Sequence, residues 1–202
     1  MEDKRIQKTK QKLRDTFIQM LQTKTFDQIT VTELCEAAKM SRITFYAHYN
    51  DKYDLLEAIM QQLLDTATAD FEAMQKKNNS ERNAQKAYNN ILDSILNLFI
   101  VYKDLLYHAS QRRNPYLYYS FYQRIYRMVE AKVEEARAHN QLAPQVTSRK
   151  FSSFICTGLW AYINECNHEQ NDLEQIRRET HTILNGIMGS EIFTNRNWAG
   201  TS

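Results

Sequence analysis

The side chains with the most informative chemistry lie close together in residues 42–48. They offer a forked guanidinium, a branched aliphatic chain, a phenol, a hydroxyl, a methyl group and an imidazole, on the residues Arg42, Ile43, Tyr46, Thr44, Ala47 and His48. At the N-terminal end of a helix, such groups can hydrogen-bond base edges and contact thymine methyl groups in the major groove of DNA. The chemistry is therefore recognition of double-stranded DNA, provided that a helix presents these residues outward.

Two short helices joined by a tight turn are predicted around this segment. Thr30 and Glu33 have the types and spacing of a capping box, in which each side chain accepts a hydrogen bond from the other residue's amide. Ser41 is suited to cap the second helix. Phe45 and Tyr49 then lie four residues apart, on the face that turns back toward the first helix. The pattern predicts a helix-turn-helix unit whose second helix reads DNA.

Positive charge precedes this unit. Residues 1–54 hold ten Lys and Arg against eight Asp and Glu, so the whole net charge of +2 belongs to this part of the chain. A basic run without acids begins at Lys4, Arg5 and Lys8. Such a run can be a solvated arm, but beside a reading helix it is expected to lie along phosphates and to add affinity without sequence information. Asp51 is expected to cap a further helix and to place Lys52 beside the same phosphates.

Residues 30–56 resemble the N-terminal domain of the TetR family of bacterial transcriptional regulators. The resemblance is carried by Thr30, Val31, Leu34, Ala37, Ala38, Ser41, Thr44, Phe45, Tyr46, His48, Tyr49, Lys52, Asp54, Leu55 and Leu56. Thr25 and Lys39 depart from the family pattern, which often has glycine at both places. The resulting candidate DNA contacts are Lys4, Arg5, Lys8, Thr32, Arg42, Ile43, Thr44, Tyr46, Ala47, His48 and Lys52.

The scarcity of glycine and proline predicts an all-α chain of about nine helices. The first glycine is Gly158, and the prolines are Pro115 and Pro144. We expect a three-helix DNA-binding domain at 1–52 and a larger helical domain for effector binding and dimerisation at 53–202. The helix capped by Asp51 should end near residue 74 and connect the two. A linker is expected at 76–80, with Ser80 capping the next helix.

Several other classes of protein are disfavoured. No apolar run is long enough for a membrane span, and the charged residues 4–14 argue against a signal peptide, so a cytoplasmic location is expected. The three cysteines lack zinc-site spacing, and Cys166 with His168 has no further ligand nearby, so neither a metal nor a cofactor is expected. An enzyme is disfavoured because no phosphate loop, nucleophile elbow or paired-His motif occurs.

Aromatic residues in the C-terminal part suggest an effector pocket. The segment 116–126 contains six aromatic residues, and buried tyrosine hydroxyls need partners. Ordinary helical core is the favoured interpretation of Leu117, Phe121, Ile125 and Val129. A pocket, if present, is expected to include Phe99, Tyr102, Tyr118, Tyr122 and Trp160.

The last two predicted helices, at 147–167 and 172–188, have broad apolar faces. The TetR resemblance implies that they pair with a second copy in a four-helix interface, formed by Phe151, Phe154, Ile155, Gly158, Leu159, Tyr162, Ile176, Thr180, Ile183, Leu184 and Ile187. The tail from Gly189 is expected to be frayed. The same resemblance implies a ligand-responsive repressor on a palindromic operator. The C-terminal half also distantly resembles the activators of dihydroxyacetone-kinase operons, so an activator that binds a protein partner is the alternative.

Overall fold

The computed structural model describes residues 4–102, 105, 114–139, 141–169 and 172–194. Eight helices lie within these residues: α1 (Lys4–Thr23), α2 (Val31–Ala37), α3 (Arg42–Tyr46), α4 (Lys52–Asn78), α5 (Ala84–Val101), α6 (Pro115–Ala138), α7 (Ser148–His168) and α8 (Leu173–Met188). The predicted all-α class is confirmed. The sequence also predicts a short helix through residues 105 and 106, which falls largely outside the described residues. Among the helices of the described ranges, none combines the length and apolarity needed to cross a membrane.

The chain divides into two compact units. The first comprises Met1–Leu64 with Tyr102–Phe121, and the second comprises Asp65–Val101 with Tyr122–Ser202. Helices α4 and α6 each contribute residues to both units. The first unit therefore includes the start of α6 as well as the predicted DNA-binding segment.

The first unit is built on α1. Leu13, Phe17 and Leu21 recur along one face of this helix and are fully buried, which is the spacing of an amphipathic helix. Helix α2 packs on α1, and α3 packs on α2. Phe26 and Phe45 fill the space between them and are also buried. The small core thus fixes α2 and α3 while leaving the opposite face of α3 in solvent.

Helix α4 is longer than the sequence suggested. It continues to Asn78 instead of ending near residue 74, and the linker expected at 76–80 is mostly helix. Asn79 is buried and its carboxamide Oδ1 accepts the amide of Asn83 at 2.8 Å. The expected cap Ser80 is replaced by Asn83, whose Oδ1 accepts the amide of Lys86 at 3.0 Å. Hydrogen bonds from backbone amides to the side chains of Asn79 and Asn83 make this turn compact. The periodicity of apolar residues could not predict these bonds.

The second unit has its core between α5, α7 and α8. Leu92 and Leu96 of α5 pack with Ile163 and Cys166 of α7 and with Ile176 of α8. The cysteines Cys35, Cys156 and Cys166 are buried free thiols. Burial raises the pKa of the Cys156 thiol to about 12, so this thiol is neutral at physiological pH.

The expectation of a frayed tail from Gly189 is wrong for its first residues. Strand β2 (Phe193–Thr194) pairs antiparallel with strand β1 (Ala143–Pro144). Phe193 is buried, and its ring lies 5.8 Å from that of Tyr88 and 5.2 Å from that of Phe151. Burial of the Phe193 side chain, which contributes about 1.5–3 kcal/mol, and the strand pairing together hold this segment.

Candidate functional site

The two helices α2 and α3 and the turn between them, residues 30–49, are called the reading unit. Both of its predicted helix caps are present. The Thr30 hydroxyl accepts the amide of Glu33 at 3.2 Å, and the Glu33 carboxylate accepts the amide of Thr30 at 3.1 Å. Hydrogen bonds from Lys24 and then from Thr30 hold the pKa of Glu33 below its usual value. The cap therefore loses this contribution to stability as the pH falls through that lowered pKa. The Ser41 hydroxyl caps α3 by accepting the amide of Thr44 at 3.0 Å.

The predicted reading residues of α3 lie on its solvent face. Ile43 is 84% exposed and Tyr46 is 49% exposed, whereas Phe45 between them is fully buried. The guanidinium carbon of Arg42 lies 5.9 Å from the centroid of the Tyr46 ring, within the range of a cation–π contact. Arg42, Ala47 and Thr32 are also exposed, while Thr44 and His48 are partly buried. The helix thus presents a guanidinium, an aliphatic chain and a phenol together.

The turn between α2 and α3 is held in a left-handed conformation. Lys39 has φ of 52°, although it stands where the family often has glycine. Its amide donates to Glu36 at 3.0 Å, and the next amide, of Met40, donates to Cys35 at 2.9 Å. These bonds end α2 in the way that is usual where glycine follows a helix. Because Lys39 has a side chain, its left-handed conformation has a steric cost that glycine would avoid. Lys39 is exposed beside the start of α3, although it was not among the residues predicted to contact DNA.

Lys52 has a different role from the one predicted. Its Nζ donates to the carbonyl oxygens of Phe26 at 2.9 Å, Asp27 at 3.1 Å and Ile29 at 2.9 Å. An ammonium group has three donors, and these bonds use all of them. The ammonium also lies 4.7 Å from the centroid of the Phe26 ring. Lys52 therefore fastens the α1–α2 loop to the start of α4, and the predicted phosphate contact is not retained.

The basic residues before the reading unit belong to α1. Lys4, Arg5 and Lys8 are exposed in its first turns, so they form part of a helix and not an extended arm. Arg14, further along the run, donates through Nε to the Tyr49 hydroxyl at 3.3 Å and through Nη1 to Gln62. Arg14 is therefore held within the first unit, whereas Lys4, Arg5, Lys8 and Lys12 are exposed to solvent.

The comparisons with known proteins agree with this geometry. Residues 15–59 match the model of the family described as "Bacterial regulatory proteins, tetR family". Residues 15–59 are therefore a DNA-binding domain of the TetR type. The match covers α2, α3, the turn between them and the first residues of α4, which are the elements that present Arg42 and Tyr46.

Solved structures of regulators, one of them described as a TetR-family protein, share the fold over nearly the whole chain. A protein from Syntrophomonas wolfei described as a TetR-family regulator is 10% identical, with a TM-score of 0.76 and coverage of 92% of this chain and 97% of that one. The fatty acid degradation regulator FadR from Bacillus halodurans is 13% identical, with a TM-score of 0.66 and coverage of 91% and 96%. The flavonoid-responsive regulator FrrA is 16% identical, with a TM-score of 0.61 and coverage of 90% and 95%. No curated protein matches the chain. The chain is a DNA-binding transcriptional regulator that carries a TetR-type DNA-binding domain.

The five residues predicted for an effector pocket are not brought together in one unit. Phe99 and Trp160 contact each other in the second unit, with ring centroids 5.5 Å apart. Tyr122 stacks on Tyr126 and lines an open groove between α6 and α7. Tyr102 and Tyr118 belong to the first unit. A pocket made of all five stays a prediction, because aromatic content does not reveal which side chains face one cavity.

The residues predicted for a dimer interface fall into three groups, which are buried, exposed and partly buried. Phe151, Ile176 and Thr180 are buried inside the single chain and are not available to a partner. Phe154 and Ile183 are 72% and 50% exposed, and Gly158 is exposed. Ile155, Leu159, Tyr162, Leu184 and Ile187 are partly buried and line an apolar cavity of about 310 Å³ that Phe154 and Ile183 also line. The predicted interface was therefore too wide, because its inner edge packs within the protomer, and an interface formed by the exposed and partly buried residues stays a prediction.

Asn114 is a positioning residue that sequence reasoning missed. It is buried, and its Oδ1 accepts the backbone amide of Phe26 at 2.7 Å. Tyr116, two residues later, stacks on the Phe26 ring with centroids 5.1 Å apart. The Asn-Pro pair marked a helix start, but nothing in the sequence showed that this start would complete the core around the α1–α2 loop.

Arg42 and Tyr46 are expected to affect DNA binding differently. Arg42→Ala removes a fork that can bind guanine, so affinity for the operator should fall by about 1–3 kcal/mol and one base pair should lose its selectivity. Tyr46→Phe keeps the ring beside Arg42 but removes a phosphate donor, so it should weaken all DNA sequences alike. Titration of operator and scrambled duplexes measures both effects. An unchanged ratio of the two affinities in Arg42→Ala would contradict a base-reading role.

Proposed function

We propose that the chain is a ligand-responsive transcriptional repressor that acts as a homodimer on a palindromic operator. The observation that carries the proposal is the outward face of α3, where Arg42, Ile43 and Tyr46 stand exposed behind a capped helix start. Side chains at this place on a helix are the ones that reach base edges in helix-turn-helix proteins. Because its target is the bacterial chromosome, the protein is proposed to act in the cytoplasm.

The exposed apolar side chains of α7 and α8 support a homodimer. Phe154 and Ile183 line one continuous apolar surface together with Leu159, Leu184 and Ile187. Apolar surface of this kind is normally covered by a partner. A second copy provides the same surface about a two-fold axis, since most homodimers are isologous. Gly158 lies within it, and no atom comes within 4 Å of the position that a Cβ would take there, which leaves room for a partner side chain.

A two-fold protein with one reading helix in each subunit is expected to recognise an inverted repeat. The two half-sites should be centred about one helical turn of DNA apart, or a multiple of it, which is roughly 34–36 Å per turn. DNase I footprinting measures this directly. Protection of a single asymmetric half-site would contradict the dimer even if α3 reads DNA as proposed.

The response to a ligand is supported by α4 and by the similar structures. Helix α4 is continuous from Lys52, beside the reading unit, to Asn78 in the second unit. Contacts made at its far end can therefore be transmitted to its beginning without crossing a loop. The similar structures include a fatty acid degradation regulator and a flavonoid-responsive regulator. By this likeness, an organic small molecule is proposed to release the operator.

The test of the proposed function is a gel shift with the DNA that flanks the protein's own coding region. We expect a sequence-dependent complex that weakens steeply with salt, and a reporter gene behind that DNA should be less active when the protein is present. A complex that competes equally with scrambled DNA would contradict a specific regulator. Increased reporter activity would overturn repression and leave DNA binding intact.

The exposed basic residues of α1 are expected to control the salt dependence of binding. Changing Lys4, Arg5 and Lys8 to Gln preserves helix-forming residues and removes three positive charges. The slope of log K against log salt concentration should flatten by about 0.9 for each phosphate that the variant no longer neutralises. Lys24→Gln is the control, because Lys24 pairs with Glu33 at 2.9 Å within the domain. If the slope is unchanged in the triple variant, Lys4, Arg5 and Lys8 do not contact phosphates and are only part of a solvated helix end.

A further inference from the structure

A cleft in the second unit combines an apolar floor with a basic rim. It lies between the end of α4, the start of α5 and the end of α6, and its volume is about 630 Å³. This volume is within the range of small-molecule sites, roughly 300–1,000 Å³. Phe71, Ala87, Tyr88 and Ile91 are among the residues that line it. The floor is therefore suited to the apolar body of an organic molecule.

The charged side chains of the cleft are mostly positive. Among the residues that the structure describes, Lys76, Arg82, Lys132 and His139 line it, against the single carboxylate of Glu135. Three Lys and Arg side chains opposite one carboxylate leave a positive excess of two without the histidine. The other polar residues on the wall, such as Gln75, Asn79 and Gln141, are neutral. An organic cation would be repelled here, whereas an anion would be attracted.

Lys132 lies beside both the carboxylate and an aromatic ring of the cleft. Lys132 Nζ lies 2.7 Å from Glu135 Oε2 and 5.0 Å from the centroid of the Phe71 ring. The Lys132 hydrogen bond, followed by the charges of Lys132, His139 and Arg82, lowers the pKa of Glu135. An anion placed beside Lys132 would therefore have the aromatic floor next to it. The cleft can hold a negative group and an apolar body at the same time.

The rim is fixed by backbone and side-chain bonds. Arg82 has φ of 56°, a left-handed conformation, and its amide donates to the carbonyl oxygen of Asn79 at 3.0 Å. Its own carbonyl accepts a hydrogen bond from Gln141 Nε2 at 3.2 Å. Asn79 is buried and bonded to both Gln75 and Asn83. A preorganised rim of this kind loses little conformational freedom when a ligand binds.

We propose that this cleft binds an amphipathic organic anion, with a carboxylate, sulfonate or similar group on an apolar body, and that this anion is the effector. The effector role rests on the proposed regulatory function. Phe71, Gln75 and Lys76 belong to α4, so a ligand in the cleft contacts the helix that begins at Lys52. Binding and release of the operator are thereby connected through one element.

The test uses two fluorescent probes that share a ring system. 1-Anilinonaphthalene-8-sulfonate is an anion, and N-phenyl-1-naphthylamine is its neutral counterpart. The full-length protein should bind the sulfonate with one site per chain and at least about ten-fold tighter than the amine, a difference of about 1.4 kcal/mol or more. Tighter binding of the amine would overturn the proposal, because it points to the purely apolar cavity that Phe154 and Ile183 line.

Variants locate the probe. Arg82→Gln and Lys132→Met should each weaken binding of the sulfonate at least five-fold, while Ala87→Phe should block it by filling the floor. Lys150→Gln is the matched control, because Lys150 lines the separate groove between α6 and α7, and it should change binding less than two-fold. Circular dichroism checks that each variant is folded. Equal losses in Lys150→Gln and Lys132→Met would overturn the proposal in favour of general attraction to a basic surface.

A gel shift in the presence of the sulfonate tests the effector role. We expect the probe to lower operator affinity in the original protein and not in Lys132→Met, which should bind the operator normally without probe. Probe binding with no change in operator affinity would overturn the effector role. If the protein binds no operator at all, the proposed regulatory function fails, and the probe measurements still decide the ligand class of the cleft.

Discussion

Replacement of Phe154 by glutamate is expected to convert the dimer into folded monomers that bind the operator weakly. Phe154 is 72% exposed in the single chain, so a carboxylate there costs the protomer little. In a two-fold interface the same change buries two carboxylates without partners. Each uncompensated buried charge costs about 3–5 kcal/mol. Sedimentation velocity measures the change in assembly, and circular dichroism measures the fold.

The control for this prediction is Val101→Glu. Val101 is 67% exposed at the end of α5 and does not line the apolar cavity that Phe154 and Ile183 line, so Val101→Glu adds an equivalent charge outside that cavity. It should leave the dimer and operator affinity unchanged. A Phe154→Glu variant that sediments as a folded dimer would refute the proposed interface without affecting the assignment of the reading helix.

Replacement of Lys52 by methionine is expected to destabilise the reading unit without changing the salt dependence of DNA binding. The side chain keeps its length but loses the ammonium that bonds three carbonyl oxygens of the α1–α2 loop. One hydrogen bond to a charged group contributes about 1.5–3 kcal/mol. Because water can replace some of the three lost bonds, the total loss of stability is expected to be about the size of one such bond. Urea unfolding followed by circular dichroism measures the loss.

Lys12→Met is the comparison for Lys52→Met. Lys12 is exposed on α1 and its replacement also removes one positive charge from the same domain, so the effect on the free energy of unfolding should be below about 0.5 kcal/mol. If Lys52→Met instead leaves stability unchanged and flattens the salt slope, the ammonium contacts phosphate and not the loop. That result would restore the role first predicted from its place beside Asp51.

The features that could be predicted from the sequence are those with local causes. The caps at Thr30 and Ser41 depend on residues three positions away, so their spacing is visible in the chain. The start of α6 at Pro115 and the start of α8 behind Asp172 follow for the same reason. The outward position of Ile43 and Tyr46 could also be predicted, because burial of Phe45 turns the opposite face of this short helix to solvent.

The features that could not be predicted depend on long-range contacts. Lys52 meets carbonyl groups 23 to 26 residues earlier in the chain, and its type and position are compatible with a phosphate contact as well. Phe151 and Ile176 belong to the same apolar stripes as Phe154 and Ile183, and only the packing of their helices separates inner from outer residues. The cleft beneath Lys132 likewise combines three helices that no sequence motif connects.

The core of the reading unit is discontinuous in sequence, and this has a consequence for its synthesis. Phe26 packs against Tyr53 and Tyr116, and its amide is bonded to Asn114. A fragment that ends after α3 or early in α4 leaves that amide without Asn114 and one face of the Phe26 ring in water. On the ribosome, the unit that contains the first helices therefore reaches its final stability only after residue 116 has emerged, by which time α4 and α5 have already been made.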